Sequence, residues 1–176
     1  MITPEQIEGA TGARPDRAVT WAPVLDAACR EYDIDSRERL AAFLAQIGHE
    51  SEGLHYTTEL WGPTDAQRRY EVRQDLGNNQ PGDGFRFRGR GLIQITGRDN
   101  YQKASDALGV DFVGSPELLA EPEWAARSAA HFWQSHGLNE RADAGEFEQI
   151  TKIINGGLNG YPNRLALYAK AKEVLS

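Results

Sequence analysis

The sequence predicts a mainly α-helical protein with a small strand element in its middle. Three observations predict it. Apolar residues recur at helical spacing in several separated stretches. Helix start signals precede some of these stretches, and one central segment alternates apolar and basic residues around glycines.

Thr3 and Gln6 have the spacing of a capping box, with Pro4 at the first helical position, and predict a short helix ending near Gly9. A second helix is expected over about 19–32, with Trp21, Leu25, Ala28 and Cys29 on one face. The third starts near Ser36 and ends at Gly53, with Leu40, Phe43, Leu44 and Ile47 as one apolar stripe. Residues 54–84 are polar and rich in Gly, Pro and Asn, and read as a long functional or mobile loop. Phe85 to Arg88 and Leu92 to Thr96 read as two short strands joined by Gly89-Arg90-Gly91. Helices then return near Asp99, over 123–136, over 146–154 and over about 163–174.

The 176 residues suffice for one domain with a real core and are too few for two ordinary ones, so 1–176 is expected to be a single domain. With 40% hydrophobic and 26% charged residues, the composition is that of a globular chain. The four Trp, six Tyr and six Phe serve a core, and rings of this kind also line sugar sites. A net charge of -7 argues against nucleic acid and against simple electrostatic attachment to a membrane. The local exception is a basic run, Arg86, Arg88, Arg90 and Arg98. The single cysteine, Cys29, allows no intrachain disulfide and reads as a small buried hydrophobe. Neither a signal peptide nor a membrane-spanning stretch is visible.

The chemistry centres on the end of the third helix. Glu50 lies three residues past Ile47 and seven past Phe43, so it shares their stripe, unlike Glu38 or Glu52. Partial burial and the helix C-terminus both disfavour a negative charge there, as suits a proton donor to a glycosidic oxygen. Hydrolysis with inversion needs a second carboxylate across the sugar, with room for one water. Glu59 leads, because a break at Gly53 can fold the chain back towards Glu50. Glu71 is second, and Asp65 and Asp75 follow. His49 and His55 flank Glu50, but their spacing is not the helical zinc pattern, so no metal and no cofactor is expected. Gly89-Arg90-Gly91 starts like a dinucleotide loop, but Gln94 stands where a third glycine belongs.

The segment Phe43-Leu44-Ala45-Gln46-Ile47-Gly48-His49-Glu50-Ser51-Glu52-Gly53 resembles the acid-bearing helix end of glycoside hydrolase family 19, which contains chitinases and phage endolysins. Phe87-Arg88-Gly89-Arg90-Gly91-Leu92-Ile93-Gln94-Ile95-Thr96-Gly97-Arg98-Asp99-Asn100-Tyr101 is similar to its second motif. Ile153-Ile154-Asn155-Gly156-Gly157 resembles its third, and Arg164-Leu165-Ala166-Leu167-Tyr168 its closing arginine helix. The four occur in family order over most of the chain.

The resemblance implies a two-lobed, lysozyme-like fold with a central cleft, and single displacement with inversion. Glu50 corresponds to the general acid, Glu59 to the second carboxylate and Thr96 to the hydroxyl that holds the attacking water. Gln94, Asn100 and Asn155 correspond to sugar-contacting or cleft-lining positions, and Arg164 to a charge supporting the second carboxylate. Arg90 is grouped with the substrate-binding residues. The second-carboxylate spacing of the plant chitinases would favour Glu71, and that of the compact microbial members Glu59. Without the resemblance, Thr96, Asn100 and Asn155 would read as turn or cap residues.

The expected function is endolysin-type hydrolysis of the β-1,4 bonds of peptidoglycan by a monomer without a wall-binding module. The protein would be made in the host cytoplasm and would reach the wall after a separate membrane-disrupting step. Arg86 and Arg88 would meet stem-peptide carboxylates. The alternatives are a chitinase of the same fold and a non-catalytic glycan-binding protein, the latter disfavoured by intact Glu50, Glu59 and Thr96.

Overall fold

A computed structural model describes residues 1–175. The element order is α1 (Pro4–Thr11), α2 (Pro15–Glu31), α3 (Arg37–Glu50), α4 (Asp65–Arg68), α5 (Asp83–Arg86), α6 (Arg98–Leu108), α7 (Pro122–Ser135), α8 (Leu138–Asp143), α9 (Phe147–Asn155) and α10 (Tyr161–Val174). The protein is mainly α-helical, as expected, and none of these helices is long and apolar enough to cross a membrane.

Local sequence explains the helix ends. The capping box of Thr3 and Gln6 forms, and α1 runs on to a left-handed cap at Gly12, past the expected stop at Gly9. Pro15 opens α2 four residues earlier than the apolar periodicity indicated. The Ser36 hydroxyl accepts from the Arg39 N–H at 3.2 Å and starts α3.

Helix α3 carries more than one apolar stripe. Residues 41 to 48 are all buried, so the helix is wrapped on every side. Helix α10 packs along it, α1 crosses it and α8 touches it, while α2 packs on α7. Small residues permit this. A Cβ on Gly48 would lie 2.7 Å from the Thr11 backbone. Phe43 meets Trp133 of α7 edge to face at 5.4 Å between centroids. Cys29 is buried in this core, and burial pushes its thiol up. Burial lapses at the last turn of α3, where His49 and Glu50 emerge half-buried.

The strand expectation is corrected. Among the described residues, pairing is limited to the isolated antiparallel bridges Thr58↔Arg90 and Arg90↔Ile95. Residues 83–86 form the helical turn α5. Asp83 is buried, accepts from the N–H groups of Asn79 and Gln80 at 3.1 and 3.0 Å, and pairs with Arg98 at 2.6 Å. Phe85 is therefore 50% exposed and Phe87 0% exposed, whereas a strand would put both on one face. Extension through 92–96 is broken at Gln94, which takes φ 56 and closes a turn onto the Gly91 carbonyl.

The long irregular stretch 54–84 has its own order. The capping box of Thr64 and Gln67 starts α4, and 3-10 turns follow at Arg69–Val72 and Gln74–Leu76. Helix α8 and the 3-10 turn Pro116–Ala120 were not anticipated, being too short to show periodicity.

Candidate active site

Glu50 is the last residue of α3, with its side chain 21% exposed. It receives a charge-assisted hydrogen bond from Arg164 of α10. Arg164 is 1% exposed. Its Nη1 donates to Gln46 Oε1 at 2.5 Å and its Nε to the Asn159 carbonyl at 3.1 Å. Gln46 Nε2 donates to Thr151 Oγ1 at 2.7 Å, and the Thr151 hydroxyl donates to the Phe147 carbonyl at 3.0 Å. The order of donors is forced. Thr151 gives its one proton to Phe147, so its oxygen must accept the Gln46 amide N–H. That turns the Gln46 oxygen towards Arg164. Gln46 and Thr151 are both buried, and neither was singled out from sequence. A polar residue in the apolar run of α3 was the available signal.

His49 is diverted to structure. Its Nδ1 lies 2.7 Å from Asn163 Oδ1, and its ring fills the space a Cβ on Gly160 would take, 2.3 Å away. Two successive residues at the end of α3 thus lash it to α10.

The chain reverses directly after Glu50. Glu52, Gly53 and Leu54 take φ values of 50, 68 and 58, consecutive left-handed residues that L side chains resist. Ser51, buried, holds the reversal. Its hydroxyl donates to the Ile47 carbonyl at 2.6 Å and accepts from the Leu54 N–H at 2.9 Å. Its carbonyl accepts from the N–H groups of His55 and Tyr56. This reversal starts the return that leads to Glu59.

Glu59 Oε1 accepts from Gln67 Nε2 at 2.9 Å and Oε2 from the Gly89 N–H at 3.0 Å, while its own N–H donates to the Gly89 carbonyl. A Cβ on Gly89 would lie 2.6 Å from Gln94 Oε1 and 3.3 Å from Thr96 Oγ1. Gly89 is therefore the hub on which Glu59, Gln94 and Thr96 converge. Thr96 Oγ1 donates to the Gln94 carbonyl at 3.1 Å, and Asn100 Nδ2 to the Thr96 carbonyl at 2.8 Å. Burial first, then the charge of Glu59, push the neighbouring Tyr70 hydroxyl up. Gln94, Thr96 and Asn100 also line an open pocket of about 490 Å³.

Glu71 occupies a different role. Its carboxylate accepts from the N–H groups of Gly82 and Gly84 and closes the loop before α5. Asn155, half-buried at the end of α9, has a buried Nδ2 without a hydrogen-bond partner.

Two residues expected at the substrate are engaged within the protein. Arg164 is buried and its charge is held against Glu50. Arg90 is buried too, and its Nη1 donates at 2.7 Å both to the Arg86 carbonyl and to the Tyr101 hydroxyl. The other arginines of the basic run also bond within the protein, with Arg86 exposed and Arg88 Nε buried without a partner. Arg98 pairs with Asp83, Arg86 caps the carbonyls of Val113 and Gly114, and Arg88 donates to the Phe85 carbonyl and stacks over its ring. Burial first, then the like charge of Arg90, hold Arg88 below the ordinary guanidinium value. Among the described residues no three His, Cys, Asp or Glu side chains form a group that could hold a metal ion.

The model of the Chitinase class I family of glycoside hydrolases matches residues 17–145, which contain Glu50, Glu59, Gln94, Thr96 and Asn100. The chain belongs to glycoside hydrolase family 19. Membership carries the family's chemistry, inverting hydrolysis of β-1,4 glycans. A glycosyl hydrolase family 19 domain-containing protein of Haemophilus influenzae is 34% identical over 155 residues, 73% of this chain and 76% of that protein. An acidic 27 kDa endochitinase of Solanum lycopersicum is 34% identical over 72% of this chain, and chitinase 11 of Oryza sativa is 38% identical over 71%. The chain spans about half the length of these two plant relatives, 56% and 54%. Its fold is that of solved family 19 structures. A bacterial family 19 chitinase superposes with a TM-score of 0.74 at 22% identity, covering 99% of this chain and 95% of that one. Chitinase C of Streptomyces griseus also gives 0.74 at 22% identity over 99% and 92% of the two chains.

Proposed function

We propose that this family 19 protein is an inverting endo-hydrolase of peptidoglycan, with Glu50 as general acid and Glu59 as the second carboxylate. The observation that carries the mechanism is the pair of differently held carboxylates on either side of the reversal at 51–55. Glu50 is anchored by a buried cation, and Glu59 by one amide side chain and one backbone N–H. Protonated Glu50 would donate to the glycosidic oxygen as the bond breaks. Glu59 would take a proton from a water on the opposite face of the sugar, with the Thr96 hydroxyl fixing that water. Gln94, Asn100 and Asn155 would hold the sugar. The reading divides the molecule into two lobes, the helices around α3 and the segment 51–97, with the glycan in the cleft between them.

Peptidoglycan is supported by the bacterial relative of comparable length, since the β-1,4 glycan native to a bacterial wall is peptidoglycan, in which N-acetylglucosamine alternates with N-acetylmuramic acid. Use in bacterial lysis, by a monomer acting on the wall after the membrane is permeabilised, follows from the endolysin resemblance. A second reading, chitin, is favoured by one observation: Arg86 and Arg88, expected to meet stem peptides, donate to backbone carbonyls of the protein.

The test is digestion of purified sacculi and of chitin hexasaccharide. Products are reduced and the new reducing-end sugar is identified by mass spectrometry, with the initial anomer read by NMR. Muropeptide release with an inverted anomer is expected, and Glu50→Gln should abolish it while glycan binding persists. Cutting of chitin alone would replace peptidoglycan, and a retained anomer would overturn the mechanism.

A further inference from the structure

The pocket of about 490 Å³ has two unlike walls. One is Gln94, Thr96 and Asn100. It begins beside the second carboxylate, because Thr96 packs on Gly89 and the Gly89 N–H holds Glu59. The other comes from α6 and α7 and presents Lys103, His131 and His136. The size is that of a site for a small ligand or substituent.

Charge sets this pocket apart. The chain carries -7, yet among the described residues no Asp or Glu lines it. Lys103 makes no hydrogen bond or ion pair with the described residues, unlike Arg39, Arg98, Arg127 and Arg141, each paired with a carboxylate. His136 donates from Nδ1 to the Phe132 carbonyl at 2.8 Å, which leaves Nε2 uncommitted. Burial first, then the charge of His136, hold His131 below the ordinary imidazole value, so near neutral pH it acts as a neutral hydrogen-bonding group. Ile93, Leu108 and Phe132 add apolar surface.

An uncharged N-acetylglucosamine polymer offers hydroxyl and acetyl oxygens to an unpaired ammonium but no countercharge. A lactyl or peptidyl substituent offers a carboxylate and small apolar groups on the same sugar. We infer that the pocket between α6 and α7 is a subsite for the carboxylate-bearing substituent of a muramyl residue, with Lys103 as its charge partner. The inference rests on the peptidoglycan reading above and locates its selectivity away from the arginine run.

The test uses three soluble substrates: peptidoglycan strands, the same strands with carboxylates converted to amides, and strands stripped of peptide so that only the lactyl carboxylate remains. The parent protein is expected to show a KM for intact strands about three- to tenfold below that for amidated ones, the size of an exposed ion pair. Lys103→Gln should erase that difference by raising KM on intact strands alone, and Lys103→Arg should restore it. In intact strands the lactyl carboxyl is amide-linked to the peptide, so a difference from amidated strands assigns the peptide carboxylates. Stripped strands, whose lactyl carboxylate is freed, show that the subsite takes a carboxylate at either place if they behave like intact ones, and restrict it to the peptide if they behave like amidated ones. A parent indifferent to amidation, or a Lys103→Gln variant weakened equally on both, overturns the subsite while leaving the peptidoglycan reading intact. Turnover of chitin oligomers and of none of the three strands overturns the reading itself.

Discussion

Arg164 lies against Glu50, with its three donor nitrogens directed to Glu50, to Gln46 and to the Asn159 carbonyl. Glu50 is thus held by a cation buried between α3 and α10.

The chain from Arg164 through Gln46 to Thr151 predicts that a residue remote from the sugar affects turnover. Thr151→Val removes the acceptor that orients the Gln46 amide and leaves a buried N–H unpaired, at a cost of about 1–3 kcal/mol. With Gln46 free to flip, Arg164 loses its second anchor. Thermal melting and kinetics should show lower stability and lower kcat with KM little changed, and Thr151→Ser should recover both. A Val variant with parental kcat would make the chain purely structural.

Glu59→Gln and Glu71→Gln should separate base from loop closure. The first is expected to lower kcat by several orders of magnitude with little change in melting temperature. The second removes one of two charge-assisted bonds to the 82–84 backbone, which costs about 1–2 kcal/mol, and should retain turnover below the melting transition. The reverse pattern would make Glu71 the second carboxylate.

Thr96→Val keeps the shape beside Gly89 and deletes the hydroxyl. If that hydroxyl positions the attacking water, kcat falls by more than substrate affinity does. Steady-state kinetics alongside binding in a Glu50→Gln background measures the two separately. Parental kcat would reduce Thr96 to a turn residue.

Ser51→Ala deletes both side-chain bonds that pin the reversal after Glu50. About 1–3 kcal/mol of stability should be lost, and activity should fall by more than unfolding explains, because Glu59 reaches its place through this turn. Denaturant melts and kcat measured well below the midpoint test it.

Asp83 makes stability depend on pH. Burial alone would raise its carboxyl, but Arg98 and the N–H groups of Gln80 and Asn79 outweigh it and hold the group below the ordinary carboxylate value. A group lowered in the folded state contributes fully above its unfolded value, near about 3.9, and loses that contribution as pH falls through the folded value. Asp83→Asn should therefore destabilise by about 2 kcal/mol from pH 5 to 8, and the difference from the parent should shrink below about pH 4. Denaturant melts across that range provide the check, and a difference independent of pH would discard the account.

Local patterns were legible in the chain by itself. The capping box of Thr3 and Gln6, the apolar spacing of α3, the placement of Glu50 at a helix end and the four family motifs are short-range features, which a linear string preserves. They determined the helical class, the family and the candidate acid. The tertiary structure decided what depends on contacts between distant residues. Phe85 and Phe87 read as one strand face until Asp83 and Arg98, fifteen residues apart, close a helical turn beneath them. Arg90 and Arg98 read as a basic surface until Tyr101 and Asp83 enclose them. Arg164, 114 residues from Glu50, became its partner only because α10 packs along α3. A charge's role depends on what surrounds it in space, and chain spacing records that only within a helical turn or a tight reversal.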